Sequence, residues 1–214
     1  MYDGPNEDLF VATTIDGIWF GSDFFQRVKW YEEIHAYSDN FDGPWDYAKM
    51  YDGPNHDTFT ADSLSGALSG TRFNGDPYFV QAHTFDAVHA FCWAGGYDVA
   101  HLYDSIRDDT YYGSPTEGAM WDDIDSYWIR AKYFEEVNGH AGSGGYDQAL
   151  LHDSALVDLL EADDNWAQLS STAAGYAHWV ADFAYVKAHG SSNPGDTEEV
   201  ADILFTLDIE GFWE

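Results

Sequence analysis

Aspartate residues recur along this chain in three sets, and successive members of a set are 49 or 52 residues apart. Carboxylate oxygens are the ligands that Ca²⁺ prefers in proteins. Acids that recur in register therefore predict repeated calcium sites, with calcium as the expected cofactor. The six candidate ligands in the middle of the chain are Asp98, Asp104, Asp109, Asp147, Asp153 and Asp158. The full sets are Asp46, Asp98, Asp147 and Asp196; Asp3, Asp52, Asp104, Asp153 and Asp202; and Asp8, Asp57, Asp109 and Asp158.

The same aspartates could instead cap the turns in which they lie. An aspartate side chain commonly accepts hydrogen bonds from the backbone N–H groups of its own turn. Stacked carboxylates repel one another, so a column of them needs hydrogen-bond donors, water or a cation. The sequence leaves turn capping and calcium binding open, and both can hold together.

The charge of the chain restricts its partners. Asp and Glu number 39 against 8 Lys and Arg, for a formal net charge of −31. Such a surface repels nucleic acids and anionic membranes, and it favours cations and tolerates high salt. A solvated surface of the halophilic kind, without a specific site, is the alternative interpretation. The aromatic content of 18% excludes a disordered acidic chain, and no apolar run is long enough to insert into a membrane.

No common catalytic motif accompanies the acids. The chain contains no H-E-x-x-H, G-x-S-x-G, P-loop or G-x-G-x-x-G pattern, and we therefore predict a protein without enzymatic activity. The alternative is a polysaccharide lyase, a glycosidase or a carbohydrate-binding protein, since paired acids in a groove cleave glycosidic bonds. The candidate groove is segment 121–128, for which a solvated acidic loop is the competing interpretation. Its relevant residues are Trp121, Asp122, Asp123, Asp125, Tyr127 and Trp128.

An internal repeat must position these residues. The segments MYDGPNEDLF, MYDGPNHDTF, LYDSIRDDTY and LHDSALVDLL begin at residues 1, 50, 102 and 151. They define four units, 1–49, 50–101, 102–150 and 151–200, followed by a partial repeat or cap at 201–214. A second block, such as FDAVHAF at 85–91, follows in every unit and resembles the first, so the predicted period is about 25 residues, doubled.

Large and small apolar residues alternate with polar ones in both blocks, which is typical of β-strands. The large set is Phe10, Ile34, Phe59, Val88, Tyr111, Val137, Leu160 and Val186. The small set, two positions on, is Ala12, Ala36, Ala61, Ala90, Gly113, Gly139, Ala162 and Ala188. Two further sets are Trp19, Leu68, Met120 and Leu169, and Met50, Leu102, Leu151 and Val200. We predict an all-β parallel solenoid of about eight turns and about 40 Å length. Segment 163–189 also permits a helical interpretation.

The segment GGYDVAHLYDSIRDDTY at 95–111 resembles the tandem repeats GG-x-D-x-A-x-L-Y-D-S of large secreted or cell-surface proteins of planctomycetes and marine bacteria. Such proteins are often labelled RTX-like calcium-binding proteins. The nine-residue RTX period and its second G-x-D step are missing here, although Asp98 and Asp147 follow paired glycines. The resemblance implies an extracellular or cell-surface location and a structural or adhesive role. We expect self-association into a filament or surface layer, or partners among surface proteins and polysaccharides.

Overall fold

The computed structural model describes residues 7–22, 24–38, 45–124, 126–191, 193, 195–211 and 213, and twenty-one β-strands form two sheets. Sheet A contains β4 (Glu33–Tyr37), β6 (Thr58–Ala61), β7 (Ser65–Thr71), β8 (Pro77–His83), β10 (Val99–Tyr103), β14 (Glu136–His140), β16 (Leu159–Asp164), β17 (Trp166–Ser171), β18 (Tyr176–Ala181) and β20 (Thr197–Ile203). Sheet B contains β1 (Leu9–Ala12), β2 (Asp16–Phe20), β3 (Phe25–Lys29), β5 (Tyr47–Tyr51), β9 (Ala87–Phe91), β11 (Asp109–Ser114), β12 (Glu117–Asp122), β13 (Trp128–Lys132), β15 (Gln148–His152), β19 (Tyr185–His189) and β21 (Thr206–Glu210). Across these ranges we find no helix of the length and apolarity that a membrane span requires.

The all-β solenoid is confirmed, with about five turns in place of the eight predicted. The difference arises because each unit contains a three-stranded antiparallel meander within one sheet, such as β6–β7–β8. Inward and outward residues alternate identically in parallel and antiparallel strands, so the repeated pattern does not report strand direction. The meander strands still add layers: ten spacings of about 4.8 Å make sheet B about 48 Å long.

Each unit uses five strands: the meander, one strand in the opposite sheet, and one strand back in the first sheet. The chain therefore crosses between the sheets three times before the next meander begins. Because three is odd, the meanders alternate between sheets B and A along the chain. The strands between meanders pair in parallel, as β10 does with β6 and β14.

The core lies between the two sheets, and the predicted inward sets fill it. Every member of the large and small sets is buried, including the two glycines of the small set. Segment 163–189 is β-structure, so its helical interpretation is wrong. One inward prediction is also wrong: Val200 is 44% exposed. It lies on β20, which has a single paired neighbour, β16, among the described strands.

Candidate metal sites

The recurring aspartates flank the strand that ends each unit and the meander that begins the next. Asp104 follows β10 directly, and Asp109 is the first residue of β11. Asp147 precedes β15, which pairs in parallel with β11 so that Gln148 lies beside Thr110. Parallel stacking therefore brings one aspartate of the neighbouring coil to the two aspartates of each corner.

Two compact triads of aspartates result. Within each triad, one carboxylate oxygen of every member lies within 4.8 Å of the others. Five of the six predicted ligands belong to these triads, and a further member of the recurring sets completes the second; their role as calcium ligands stays a prediction. The triads are Asp104, Asp109 and Asp147, and Asp153, Asp158 and Asp196.

The sixth predicted ligand, Asp98, lies in a different environment. Its neighbours within the same distance are Asp52 and the thiol of Cys92, and it also accepts a hydrogen bond from the backbone N–H of Asp57, at 2.8 Å. Burial raises the pKa of the Cys92 thiol, which therefore stays protonated. Calcium prefers oxygen ligands, so this cluster suits calcium less well than the two triads do.

Backbone hydrogen bonds to the aspartates recur in every unit. The N–H of Asp109 donates to Asp147 at 2.8 Å, and the N–H of Asp158 donates to Asp196 at 3.0 Å. The N–H of Ser143 donates to Asp104 at 2.8 Å. The aspartates therefore do cap turns, and the capping bonds connect residues of neighbouring coils of the solenoid. Both oxygens of Asp109 and of Asp158 accept hydrogen bonds, from Ser105 and a tyrosine in the first case and from Ser154 and a tyrosine in the second. In Asp147 and Asp196 the capping bond occupies one oxygen.

A tyrosine, which the sequence reasoning missed, supports one aspartate of each cluster. The hydroxyls of Tyr127 and Tyr176 donate to Asp109 and Asp158, each at 2.5 Å. Tyr78 donates to the equivalent Asp57 at 2.7 Å. The signal was available, since these tyrosines are 49 residues apart. Hydrogen bonds from hydroxyls fix the orientation of the carboxylates and partly stabilise their charge.

Burial makes the negative charge of these clusters costly. It raises the pKa of Asp147 to about 6, and the neighbouring Asp104 and Asp109 carboxylates add to the effect while the N–H of Asp109 opposes it. Burial likewise raises the pKa of Asp98 to about 7, with contributions from Asp57 and other acids. Each cluster is therefore stabilised by a bound proton or by a cation.

Asp196 has a buried carboxylate oxygen that no donor group satisfies. The side chain is 0% exposed, and its Oδ1 accepts the hydrogen bond from Asp158. Its Oδ2 is buried and receives no hydrogen bond from a donor group of the described residues, and the neighbouring carboxyl of Asp153 helps to raise the pKa of Asp196. An unsatisfied buried acceptor is destabilising by about 1–3 kcal/mol, and more when charged. The second triad thus contains an oxygen that a cation would satisfy.

One member of the first triad borders a pocket that is open to solvent. Asp104 lines an open pocket of about 690 Å³ together with Ser105 and Ser143. Asp122 also lines this pocket, and its buried carboxylate lies 3.6 Å from the Nε of Arg107. The pocket therefore leads to Asp104, while Asp109 and Asp147 are buried behind it.

The segment proposed as a carbohydrate groove is divided by the fold. Asp122 accepts hydrogen bonds from the backbone N–H and the hydroxyl of Ser126, at 2.6 and 2.5 Å. Asp123 is exposed, and Asp125 lies outside the described residues. Trp121 and Trp128 instead lie side by side on sheet B. The acids and the tryptophans of this segment therefore belong to different surroundings.

Comparison of the chain with family models, with curated proteins and with solved structures finds no match.

Proposed function

We propose that this chain is a structural module of an extracellular or cell-surface protein, and that Ca²⁺ bound in the two aspartate triads holds neighbouring coils of the solenoid together. Each triad combines two aspartates at one corner with a third from the coil that stacks beside it. A bound cation would therefore link coils that are otherwise joined by strand pairing and packing. The buried Oδ2 of Asp196, which no donor group satisfies, is the observation that carries the proposal.

The proposal includes no enzymatic activity. The recurring acids are used to cap turns and to face one another across neighbouring coils, which suits a repeated structural role. A regular solenoid with strands at both edges of its sheets also suits assembly into a filament or surface layer. The repeat resemblance supports the same role and location.

Calorimetric titration with CaCl₂ after EDTA treatment tests the cation sites. We expect about two ions to bind per chain, one in each triad. At a calcium concentration 100-fold above the Kd, one site contributes about 2.7 kcal/mol to folding stability. For a domain of this size that corresponds to a rise in Tm of about 5–10 °C per site. No heat of binding and an unchanged Tm in EDTA would refute the proposal.

Matched variants locate the ions. Asp196→Asn keeps the shape and the acceptor for the Asp158 N–H, but it removes the charge that a cation needs. We expect it to lose one of the two ions and the corresponding part of the calcium-dependent rise in Tm. Asp123→Asn removes an exposed charge next to the Asp122 region, and it should titrate as the wild type does. Equal calcium binding by both variants would place the ions elsewhere.

A further inference from the structure

The positive charges of this acidic protein are concentrated on one sheet. Six of the eight Lys and Arg residues lie on strands of sheet B, and none lies on the ten strands of sheet A. The side chains alternate with buried core residues, so they lie on the outer face. Sheet B therefore presents the region of this molecule best suited to an anionic partner.

A basic row crosses the middle of that face. Lys49 on β5, His89 on β9 and Arg130 on β13 are neighbours in register. Arg130 and Lys132 share the single carboxylate of Glu117, and Lys49 forms no ion pair among the described residues. This row therefore keeps an excess of positive charge.

His89 lies buried between the two charged residues of the row. It is 8% exposed, and its buried Nε2 has no hydrogen-bond partner in the part of the chain described. Burial, together with the nearby charges of Arg130 and Lys49, lowers its pKa to about 4. The imidazole is thus neutral at pH 7, and the positive charge of the row is that of Lys49 and Arg130.

Aromatic rings border the basic row. Trp128 pairs in register with Trp121 on β12, and its ring centroid lies 5.3 Å from that of His89. The two tryptophans, with Trp45 and Tyr127, line a pocket of about 190 Å³. Flat apolar rings suit a ligand that has apolar faces of its own, such as a sugar ring.

We propose that this patch, formed by Lys49, His89, Arg130, Trp121 and Trp128, binds an acidic polysaccharide. The tryptophans stack against sugar rings, and the basic row contacts the carboxylate or sulfate groups of the chain. A polymer running along the solenoid axis meets the charged groups of Lys49 and Arg130, which lie two strand spacings apart, or about 9.6 Å, with the neutral His89 between them. Charge complementarity selects an anionic polymer over a neutral one. The proposal is independent of calcium binding in the triads.

Affinity electrophoresis of the whole chain in EDTA tests the proposal. The gels contain polygalacturonate, dextran sulfate or uncharged dextran, which separates carboxylate from sulfate recognition and both from neutral sugar binding. We expect one or both acidic polymers to retard the protein, with retardation falling as salt is added, and dextran to leave its mobility unchanged. Equal retardation by dextran, no retardation by either acidic polymer, or binding that needs calcium would overturn the proposal.

Variants then identify the surface. Trp121→Ala and Lys49→Gln should each weaken binding, and for the tryptophan about tenfold or more, as expected of an anchor in a binding surface. Trp179→Ala changes a tryptophan on the outer face of sheet A and should bind normally. The Tm of every variant is measured to show that it is folded. Wild-type binding by folded Trp121→Ala and Lys49→Gln would assign the ligand to another surface.

Discussion

At the scale of single residues, the tyrosine behind each aspartate cluster has a measurable energetic role. The hydroxyl of Tyr176 donates to the buried Asp158 carboxylate at 2.5 Å. Phe24 supplies an aromatic ring without a hydroxyl at the corresponding meander position of the first unit. An aromatic ring therefore fits at this position without a hydroxyl. The contribution of the hydroxyl hydrogen bond to the free energy of unfolding can then be measured separately from that of the ring.

Tyr176→Phe should lower the free energy of unfolding by about 1–3 kcal/mol, because a charged acceptor loses one of its donors. Urea denaturation in EDTA measures the change. Tyr146 is exposed, so Tyr146→Phe is the matched control and should have little effect. Equal stability of Tyr176→Phe and the wild type would show that the hydroxyl bond adds nothing to folding.

The raised pKa of Asp98, about 7, predicts a pH dependence. In the unfolded chain this carboxyl has a pKa near 3.9, so the folded state holds its proton more tightly. The resulting stability is fully present below the unfolded pKa, and it is lost as the pH rises through about 7. In EDTA, the wild type should therefore lose stability between pH 6.5 and 8.

Asp98→Asn cannot titrate, and it should lose less stability over that range. Burial lowers the pKa of His178 to about 4, so protonation of this buried histidine destabilises the fold on acidification. The comparison is therefore made above pH 6.5, where this effect is absent. Thermal melts at several pH values provide the measurement. Parallel pH profiles for the variant and the wild type would contradict the assignment.

The candidate ligands were predictable from sequence because aspartates at a constant interval occupy equivalent corners. Their grouping was not predictable, since it depends on which strands stack. Asp147 meets Asp109 because β15 pairs with β11, and nothing in the residue pattern states that pairing.

At the scale of strands, the glycines of the small inward set have a specific cause. Six of the eight members of that set are alanine, whereas Gly139 packs against the buried Tyr111 and Gly113 packs against His178. The hydroxyl of Tyr111 hydrogen-bonds to Nδ1 of His178 at 2.7 Å. A Cβ on Gly139 would lie 2.8 Å from the Tyr111 ring, and one on Gly113 would lie 2.9 Å from the imidazole of His178.

Gly139→Ala should therefore destabilise the protein by about 1–3 kcal/mol through overpacking. The Tyr111 ring cannot move freely, because it is fully buried and held by His178. Gly142 has no atom near its added Cβ, so Gly142→Ala is the control and should be close to neutral. Chemical denaturation of the two variants checks the difference. A Gly139→Ala variant as stable as the wild type would mean that the ring shifts without cost.

Strand positions and their buried faces could be read from the sequence, while the meanders could not. Phe59 and Leu68 are opposite one another in antiparallel β6 and β7, and both follow the pattern that a parallel coil would show. Whether neighbouring strands run parallel or antiparallel is decided by the turns that connect them. A recurrent corner with positive φ follows each meander, at Trp30, Thr84, Tyr133 and Asp182. None of these residues is glycine, so their composition gives little sign of a left-handed turn.

At the scale of the whole molecule, the net charge of −31 opposes compaction. Added salt shortens the Debye length to about 3 Å at 1 M and screens this repulsion. We expect the Tm to rise between 0.05 and 1 M NaCl in the presence of EDTA. Differential scanning calorimetry measures it. CaCl₂ at matched ionic strength should raise the Tm further if the triads bind the ion, and a Tm that falls with NaCl would contradict the role of self-repulsion.

Because each unit crosses between the sheets an odd number of times, the sheet that holds a given meander depends on whether an odd or an even number of units precedes it. The triad that contains Asp109 lies at the start of strands in sheet B, and the triad that contains Asp158 lies at the start of strands in sheet A. Deleting or duplicating one unit would transfer every later meander to the opposite side of the rod. Such a change would separate Lys49 from the surface that carries Arg130. Only the gain or loss of two units, about 98–101 residues, preserves a surface that is built across several units. A lineage that depends on one face of the rod can therefore change its length only by pairs of units.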